Sequence, residues 1–168
     1  MVWTPITEEG TPELRTIDAR GEATRADLPG GFRPTKIAPG PDGWYAVLGS
    51  GDDCCDVRLL LVEPGGAQRQ LLFGNWTAAA PLTVSWGAAG YIAVGPEYPD
   101  HWDEGNGASW VTVVDPRAGE IEATLDGWVG TAWSPDAPAL LVAQPTDAET
   151  TELALVWGPS FGERTSVG

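Results

Sequence analysis

The chain has 168 residues and a formal net charge of −15, with 9 Trp, 22 Gly and 15 Pro. This length suits one domain with a hydrophobic core, and the negative charge argues against binding to the phosphate backbone of a nucleic acid. No apolar run approaches the roughly 20 residues of a membrane span, so no membrane partner is expected.

The start of the chain and its charge distribution give two further expectations. Residues 1–5 lack the basic and apolar regions of a signal peptide, so we expect a cytoplasmic protein, with a secreted fragment that has lost its leader as the alternative. Residues 70–163 contain one basic residue, Arg117, against 13 acidic residues. Such an excess is usually explained by solubility, and more specifically it favours a basic protein partner.

Residues 1–28 are interpreted as an incomplete first repeat made of short strands. A tight turn over residues 18–22 joins the second and third strands, with Gly21 supplying the positive φ that a hairpin turn needs. The predicted strands are Val2–Thr7, Leu14–Asp18 and Ala23–Leu28.

Three longer segments then repeat a unit of four short strands separated by turns, over residues 35–73, 82–126 and 129–168. Trp86 and Trp133 lie 47 residues apart, and Pro41 and Pro135 lie 94 residues apart, which is twice that period. A fixed period of this size is typical of a repeat architecture.

Two aspartates recur at equivalent turns of this pattern, Asp42 and Asp136. Paired carboxylates serve in glycoside hydrolysis. Here their recurrence favours a role in turn geometry, because Asp stabilises tight turns through local hydrogen bonds.

The segment Trp133-Ser134-Pro135-Asp136, followed by an apolar strand, resembles the bacterial WD40-like and TolB-type (PD40) β-propeller repeats. The turns at residues 18–22 and 115–120 are similar to the outer hairpins of those repeats. The sequence departs from the pattern at residues 88–89, where Ala-Ala replaces Pro-Asp, and no functional site comes with the resemblance. It implies a scaffold that contacts other proteins, not a reaction.

The prediction is therefore an all-β chain, a β-propeller or partial propeller of four-stranded antiparallel blades, in a single domain over residues 1–168. The partial blade covers residues 1–28, and the three full blades cover residues 35–73, 82–126 and 129–168. Propellers usually have about four to eight blades. The chain thus completes a small four-bladed ring, joins a second copy in one larger ring, or is part of a longer propeller.

The loop at residues 52–56 combines two adjacent thiols with three carboxylates, which makes it a candidate redox or metal site. A soft divalent metal suits such ligands, but a typical zinc site needs four ligands at wider spacing. A disulfide between adjacent residues is strained, so two free thiols are the expected state. The residues concerned are Asp52, Asp53, Cys54, Cys55 and Asp56.

The second candidate is a long polar loop that holds the one histidine of the chain. A histidine beside carboxylates can act as a general base, and oxygen ligands over residues 103–106 suit Ca²⁺ although they do not match the EF-hand spacing. A solvated loop is the expected state, with its aromatic residues as anchors for a protein partner. The candidate partner-binding residues are Tyr98, His101, Trp102, Asp103 and Glu104.

Three functions follow from these observations. The first is a non-enzymatic module without a cofactor that binds another protein, in its specific form an inhibitor or immunity-type protein for a basic partner. The second is a hydrolase or metal-dependent enzyme that uses His101 and the acidic loops. The third is a structural half-ring that forms a homodimer.

The thiol state gives the first testable expectation. If Cys54 and Cys55 are free, alkylation under native conditions adds one group to each thiol, and the protein mass rises accordingly. An unchanged mass that rises only after prior reduction contradicts this expectation and indicates a disulfide instead.

Overall fold

The computed structural model describes residues 2–3, 11–17, 21–51, 56–75, 82–96, 110–146 and 150–167. Within these ranges, regular structure consists of β-strands and one 3₁₀ turn at Pro41–Gly43. No helix in the described part of the chain is long and apolar enough to cross a membrane.

The strands form four antiparallel sheets, each made of strands that follow one another in the chain. Sheet I contains β1 (Val2–Trp3), β2 (Glu13–Ile17) and β3 (Ala23–Asp27). Sheet II contains β4 (Arg33–Pro39), β5 (Tyr45–Ser50), β6 (Asp56–Val62) and β7 (Gln68–Asn75). Sheet III contains β8 (Leu82–Trp86), β9 (Ile92–Pro96), β10 (Trp110–Asp115) and β11 (Glu120–Asp126). Sheet IV contains β12 (Val129–Trp133), β13 (Ala139–Pro145), β14 (Thr151–Trp157) and β15 (Glu163–Ser166).

This architecture confirms the predicted fold class, an all-β chain of four-stranded antiparallel units preceded by a smaller one. Sheet I has three strands among the described residues. Its first strand is observed at Val2–Trp3, and the remainder of the predicted strand, up to Thr7, lies outside the described residues.

The turn residues behave as their types predict. Gly21 has φ +83° before β3, a conformation that glycine adopts without steric cost. Asp42 also lies in the left-handed region, at φ 53°, where Asp is better tolerated than most residues. The amide of Asp136 donates to Ser134 Oγ at 3.5 Å within the turn that follows β12. Both aspartates therefore lie in turns, as predicted.

Contacts between residues divide the chain into two compact units, Met1–Thr77 and Ala78–Gly168. The predicted single domain remains a prediction. In the first unit, sheets I and II share a core in which Leu14 of β2 packs with Val47, Leu60 and Val62 of sheet II. Phe32, which precedes β4, completes this core.

The second unit has its own core between sheets III and IV. Apolar residues of β9 and β10 pack with alternate residues of β13 and β14, because successive side chains of a strand point to opposite faces. The buried members are Ala93, Val111, Val113, Trp128, Leu140, Val142, Ala154, Val156 and Phe161.

Trp133 links the two sheets of the second unit at the end of β12. Its indole N–H donates to Ser85 Oγ of β8 at 3.1 Å. The ring lies so close to Gly87 that a Cβ atom there would be 2.6 Å from a ring carbon. Glycine at residue 87 is thus a packing requirement of the Trp133 ring.

Phe161 lies between two other aromatic rings of the same unit. Its ring is edge-on to Tyr91, with centroids 5.0 Å apart, and to Trp133, with centroids 6.0 Å apart. Edge-to-face pairs of this kind add to the burial free energy. Burial raises the pKa of the Tyr91 hydroxyl, and the carboxylates of Asp115 and Glu122 raise it further while Arg117 opposes them.

The other faces of sheets II and III are also buried. Leu48, Leu59 and Leu61 of sheet II are at most 1% exposed, and Val94 and Val114 of sheet III are fully buried. Strands of these sheets therefore have nearly continuous apolar runs, as expected of strands with both faces covered.

Replacement of Trp133 by Ala tests the link between sheets III and IV. We expect a loss of about 3–5 kcal/mol in the free energy of unfolding, because the change leaves a cavity beside Phe161 and Gly87. Denaturant unfolding followed by circular dichroism measures it.

Ser85→Ala is the matched control, since it removes only the hydrogen bond and should cost about 0.5–1.5 kcal/mol. Equal losses for the two variants would contradict the packing role of the indole ring.

Candidate binding cleft

Most residues predicted from chemistry lie outside the described residues. This holds for Asp52, Asp53, Cys54 and Cys55, while Asp56 is described through its backbone as the first residue of β6. It also holds for Tyr98, His101, Trp102, Asp103 and Glu104. Their assignments stay predictions.

The topology nevertheless gives the two segments equivalent positions in the chain. The first follows β5 and precedes β6, and the second follows β9 and precedes β10. Each therefore joins the second and third strands of a four-stranded sheet. Across the part of the chain that the structure describes, no group of three or more His, Cys, Asp or Glu side chains is placed to hold a metal ion.

The structure shows a different candidate site, a cleft of about 440 Å³ within the first unit. It lies between one face of β2 and β3 and the ends of β5 and β6. The turn at Gly43 and the hairpin Glu63–Gly66 that leads to β7 border it. We call it the unit-1 cleft; its lining residues are Leu14, Thr16, Glu22, Thr24, Arg25, Ala26, Gly43, Tyr45, Val62, Glu63, Pro64, Gly65 and Gly66.

The unit-1 cleft has an apolar floor. Leu14 and Val62 are buried members of the core between sheets I and II, and Ala26 and Tyr45 pack against that core with part of their surface open. The floor is therefore rigid, because its side chains are held by the same packing that joins the two sheets.

One wall carries a pair of hydroxyl groups. Thr16 and Thr24 face each other across β2 and β3 in register, and their Oγ1 atoms form a hydrogen bond. Thr16 is 7% exposed. The pair leaves oxygen lone pairs that a donor group entering the cleft can use.

The rim carries two carboxylates and one guanidinium. Glu22 is exposed and Glu63 is partly buried. Arg25 is already bound, since its Nη2 lies 2.8 Å from Glu13 Oε1 and 3.0 Å from Asp27 Oδ1. The lining of the cleft therefore combines two acidic residues with one arginine, and the arginine is held by Glu13 and Asp27.

Glu13 of sheet I forms ion pairs with Arg15 and with Arg25, which lines the cleft. Its side chain is 1% exposed, and its two carboxylate oxygens accept from Arg15 at 2.9 Å and from Arg25 at 2.8 Å. A buried carboxylate needs such compensation, because burial of an unpaired charge is costly. Glu13 thus fixes Arg25 on sheet I.

Little in the amino-acid sequence indicates this cleft. Its residues are common types that come from four separate segments, and no spacing connects Thr16 with Tyr45 or Glu63. Of the residues that line it, the sequence predicts only the position of Glu22, in the hairpin turn before Ala23.

No family model matches the chain, and no curated protein matches it. Solved structures do. The β-propeller domain of the Trilobed protease from Pyrococcus furiosus, described as having an open velcro topology, is similar with a TM-score of 0.66 at 11% identity, over 99% of this chain and 52% of that chain. The chain has a β-propeller fold.

Two structures of an acylaminoacyl peptidase from Pyrococcus horikoshii are similar as well. The uncomplexed form has a TM-score of 0.62 at 10% identity, over 99% of this chain and 30% of that one. The orthorhombic crystal form has a TM-score of 0.63 at 12% identity, over 98% and 29%. The chain therefore spans about half the length of the propeller domain and less than a third of the peptidase chains, and at these identities the likeness concerns the propeller fold.

Proposed function

We propose that this propeller is a non-enzymatic protein-binding module, and that its partner inserts a lysine or arginine side chain into the unit-1 cleft. The observation that carries the proposal is a cleft whose lining combines apolar side chains, such as Leu14 and Val62, with the acidic residues Glu22 and Glu63. Lysine and arginine side chains match such a cleft, because each has an apolar stem and a positively charged end.

The charge of the whole chain supports a basic partner. At −15, the protein attracts cationic surfaces over a distance of about one Debye length, which is ~10 Å at moderate salt. Such attraction raises the association rate and disfavours acidic competitors. An inhibitor or immunity-type role toward a basic protein is the specific form of this proposal.

The predicted loop residues Tyr98 and Trp102 belong to the same proposal as a second contact. Aromatic side chains often dominate the binding free energy of an interface. They belong to the second unit of the chain, so their contribution is measured with variants of their own.

The fold neighbours favour a second candidate, a propeller that accompanies a peptidase. The similar structures are a protease propeller domain and acylaminoacyl peptidases. In that case the unit-1 cleft receives side chains of a peptide instead of a folded partner. Tight capture of an intact basic protein favours the first candidate, and co-purification with a peptidase favours the second.

The cleft is tested by titration of the ¹⁵N-labelled chain with the tripeptide Gly-Lys-Gly. We expect chemical-shift changes at the amides of Thr16, Thr24 and Gly66. Each exposed ion pair contributes about 0.2–1 kcal/mol. The double variant Glu22→Gln, Glu63→Gln removes two pairs and should therefore bind roughly two- to thirtyfold more weakly.

Gly-Glu-Gly is the matched control peptide, and the variant Glu120→Gln, Glu122→Gln in sheet III is the matched control protein. Equal shifts with Gly-Glu-Gly, or unchanged affinity of the cleft variant for Gly-Lys-Gly, would contradict the proposal.

A further inference from the structure

The cores of the two units contain equivalent positions on the third strand of a sheet. In sheet IV, Val156 of β14 pairs in register with Leu140 of β13, and both are buried in the core shared with sheet III. In sheet II, Leu60 of β6 pairs with Val47 of β5, and both are buried in the core shared with sheet I. Val156 and Leu60 therefore occupy the same place in the repeat.

The hairpins that follow these two residues carry different side chains. Phe161 follows Val156 by five residues, and Gly65 follows Leu60 by five residues. Each lies in the turn between the third and fourth strands of its sheet. Phe161 is fully buried, whereas Gly65 is exposed. The first unit therefore has a glycine where the second unit has a buried aromatic ring.

The ring of Phe161 shows what this fold accepts at that place. It packs in the core between sheets III and IV, and it is edge-on to the rings of Tyr91 and Trp133. The amide of Phe161 also donates to the carbonyl of Trp157 at 2.9 Å, which closes the turn that carries the ring. In the second unit, the hairpin of the chain itself thus fills the space between two sheets with an aromatic side chain.

In the first unit, the hairpin leaves this place open to the unit-1 cleft. Gly65 and Gly66 line the cleft, and among the described residues no atom would lie within 4 Å of a Cβ atom added at either position. The amide of Gly66 donates to the carbonyl of Glu63 at 2.8 Å, and Pro64 lies beside Gly43, 3.6 Å from where a Cβ atom there would stand. The hairpin is therefore held in a fixed conformation next to the cleft.

The lining of the cleft suits an aromatic ring. Leu14 and Val62 provide buried apolar side chains, and the partly buried ring of Tyr45 provides an aromatic neighbour. Aromatic pairs favour edge-to-face contacts with centroids about 4.5–7 Å apart. The cleft volume of about 440 Å³ is within the range of about 300–1,000 Å³ that is usual for binding pockets, so a ring and the stem of a lysine can enter together.

We propose that the unit-1 cleft binds an aromatic side chain of the partner, at the place that corresponds to Phe161 in the second unit. This inference rests on the proposed function, because the aromatic residue is expected next to the lysine or arginine that reaches Glu22 and Glu63. The partner is then a protein that presents an adjacent aromatic and basic residue. We call this part of the cleft the aromatic subsite; it consists of Leu14, Ala26, Tyr45, Val62 and Gly65.

Titration of the ¹⁵N-labelled chain with four peptides tests the aromatic and the basic residue separately. The peptides are Gly-Phe-Lys-Gly, Gly-Leu-Lys-Gly, Gly-Ala-Lys-Gly and Gly-Phe-Ala-Gly. We expect the phenylalanine–lysine peptide to bind about tenfold or more tightly than the alanine–lysine peptide, because the ring is buried. It should bind roughly two- to twelvefold more tightly than the leucine–lysine peptide, because aromatic pairs contribute beyond buried area.

The aromatic subsite and the lysine contact fail in different ways. Equal affinity for Gly-Phe-Lys-Gly and Gly-Ala-Lys-Gly overturns the aromatic subsite, whether or not lysine contributes. Equal affinity for Gly-Phe-Lys-Gly and Gly-Leu-Lys-Gly also overturns it, because the subsite then has no preference for a ring. A Gly-Phe-Ala-Gly peptide that binds as tightly as Gly-Phe-Lys-Gly supports the aromatic subsite and contradicts the lysine contact.

A variant that fills the cleft from within the chain gives a second test. Ala26 lines the cleft and packs against the core, so Ala26→Phe should weaken binding of Gly-Phe-Lys-Gly about tenfold or more. Ala23→Phe is the matched control, because Ala23 is exposed on the same strand and points to the opposite face. Its affinity should match that of the unmodified chain.

Near-ultraviolet circular dichroism shows whether each variant is folded. If Ala26→Phe is unfolded, Gly65→Phe replaces it, since it introduces the ring at the residue equivalent to Phe161. Unchanged affinity of a folded filling variant for Gly-Phe-Lys-Gly overturns the proposal.

Discussion

The structure depends on the burial of one sheet face against another. A four-stranded antiparallel sheet has backbone hydrogen bonds for its interior strands, but its apolar side chains remain in water until a second sheet covers them. In the second unit, Val111 and Val113 of sheet III are fully or almost fully buried together with Val142 and Val156 of sheet IV. At about 25 cal/mol per Å² of apolar surface, this burial is the largest stabilising contribution, and the turns mainly place the strands so that it can occur.

That constraint explains which parts of the fold the sequence predicts. The repeated turns are local, and their residues act through local geometry, as Gly21 and Asp42 do at positive φ. The apolar runs after each turn have strand length. Both signals recur with the period between Trp86 and Trp133, so strand positions and the four-strand unit follow from the sequence. Contacts between successive sheets do not follow from the sequence, because nothing in the local sequence indicates that the Trp133 ring occupies the space above Gly87.

The candidate site was harder to predict for a related reason. Chemically distinctive residues such as Cys54, Cys55 and His101 are the ones that a sequence indicates most readily, and they lie outside the described residues. The unit-1 cleft is lined by Leu14, Thr16, Val62 and other common residues, which sheets I and II bring together at their shared core. Shape of this kind is a property of packing. Composition indicates only the acidic residues of the cleft, because the whole chain is acidic.

The dependence of each sheet on its neighbour is tested most directly by native-state hydrogen exchange of the amides of β10 and β13 at increasing denaturant. These strands belong to different sheets that share one core. If mutual burial holds them, their opening free energies converge to one value with the same denaturant dependence, because neither sheet persists without the other. Sheet IV opening at lower free energy while sheet III keeps its full protection would contradict this interdependence.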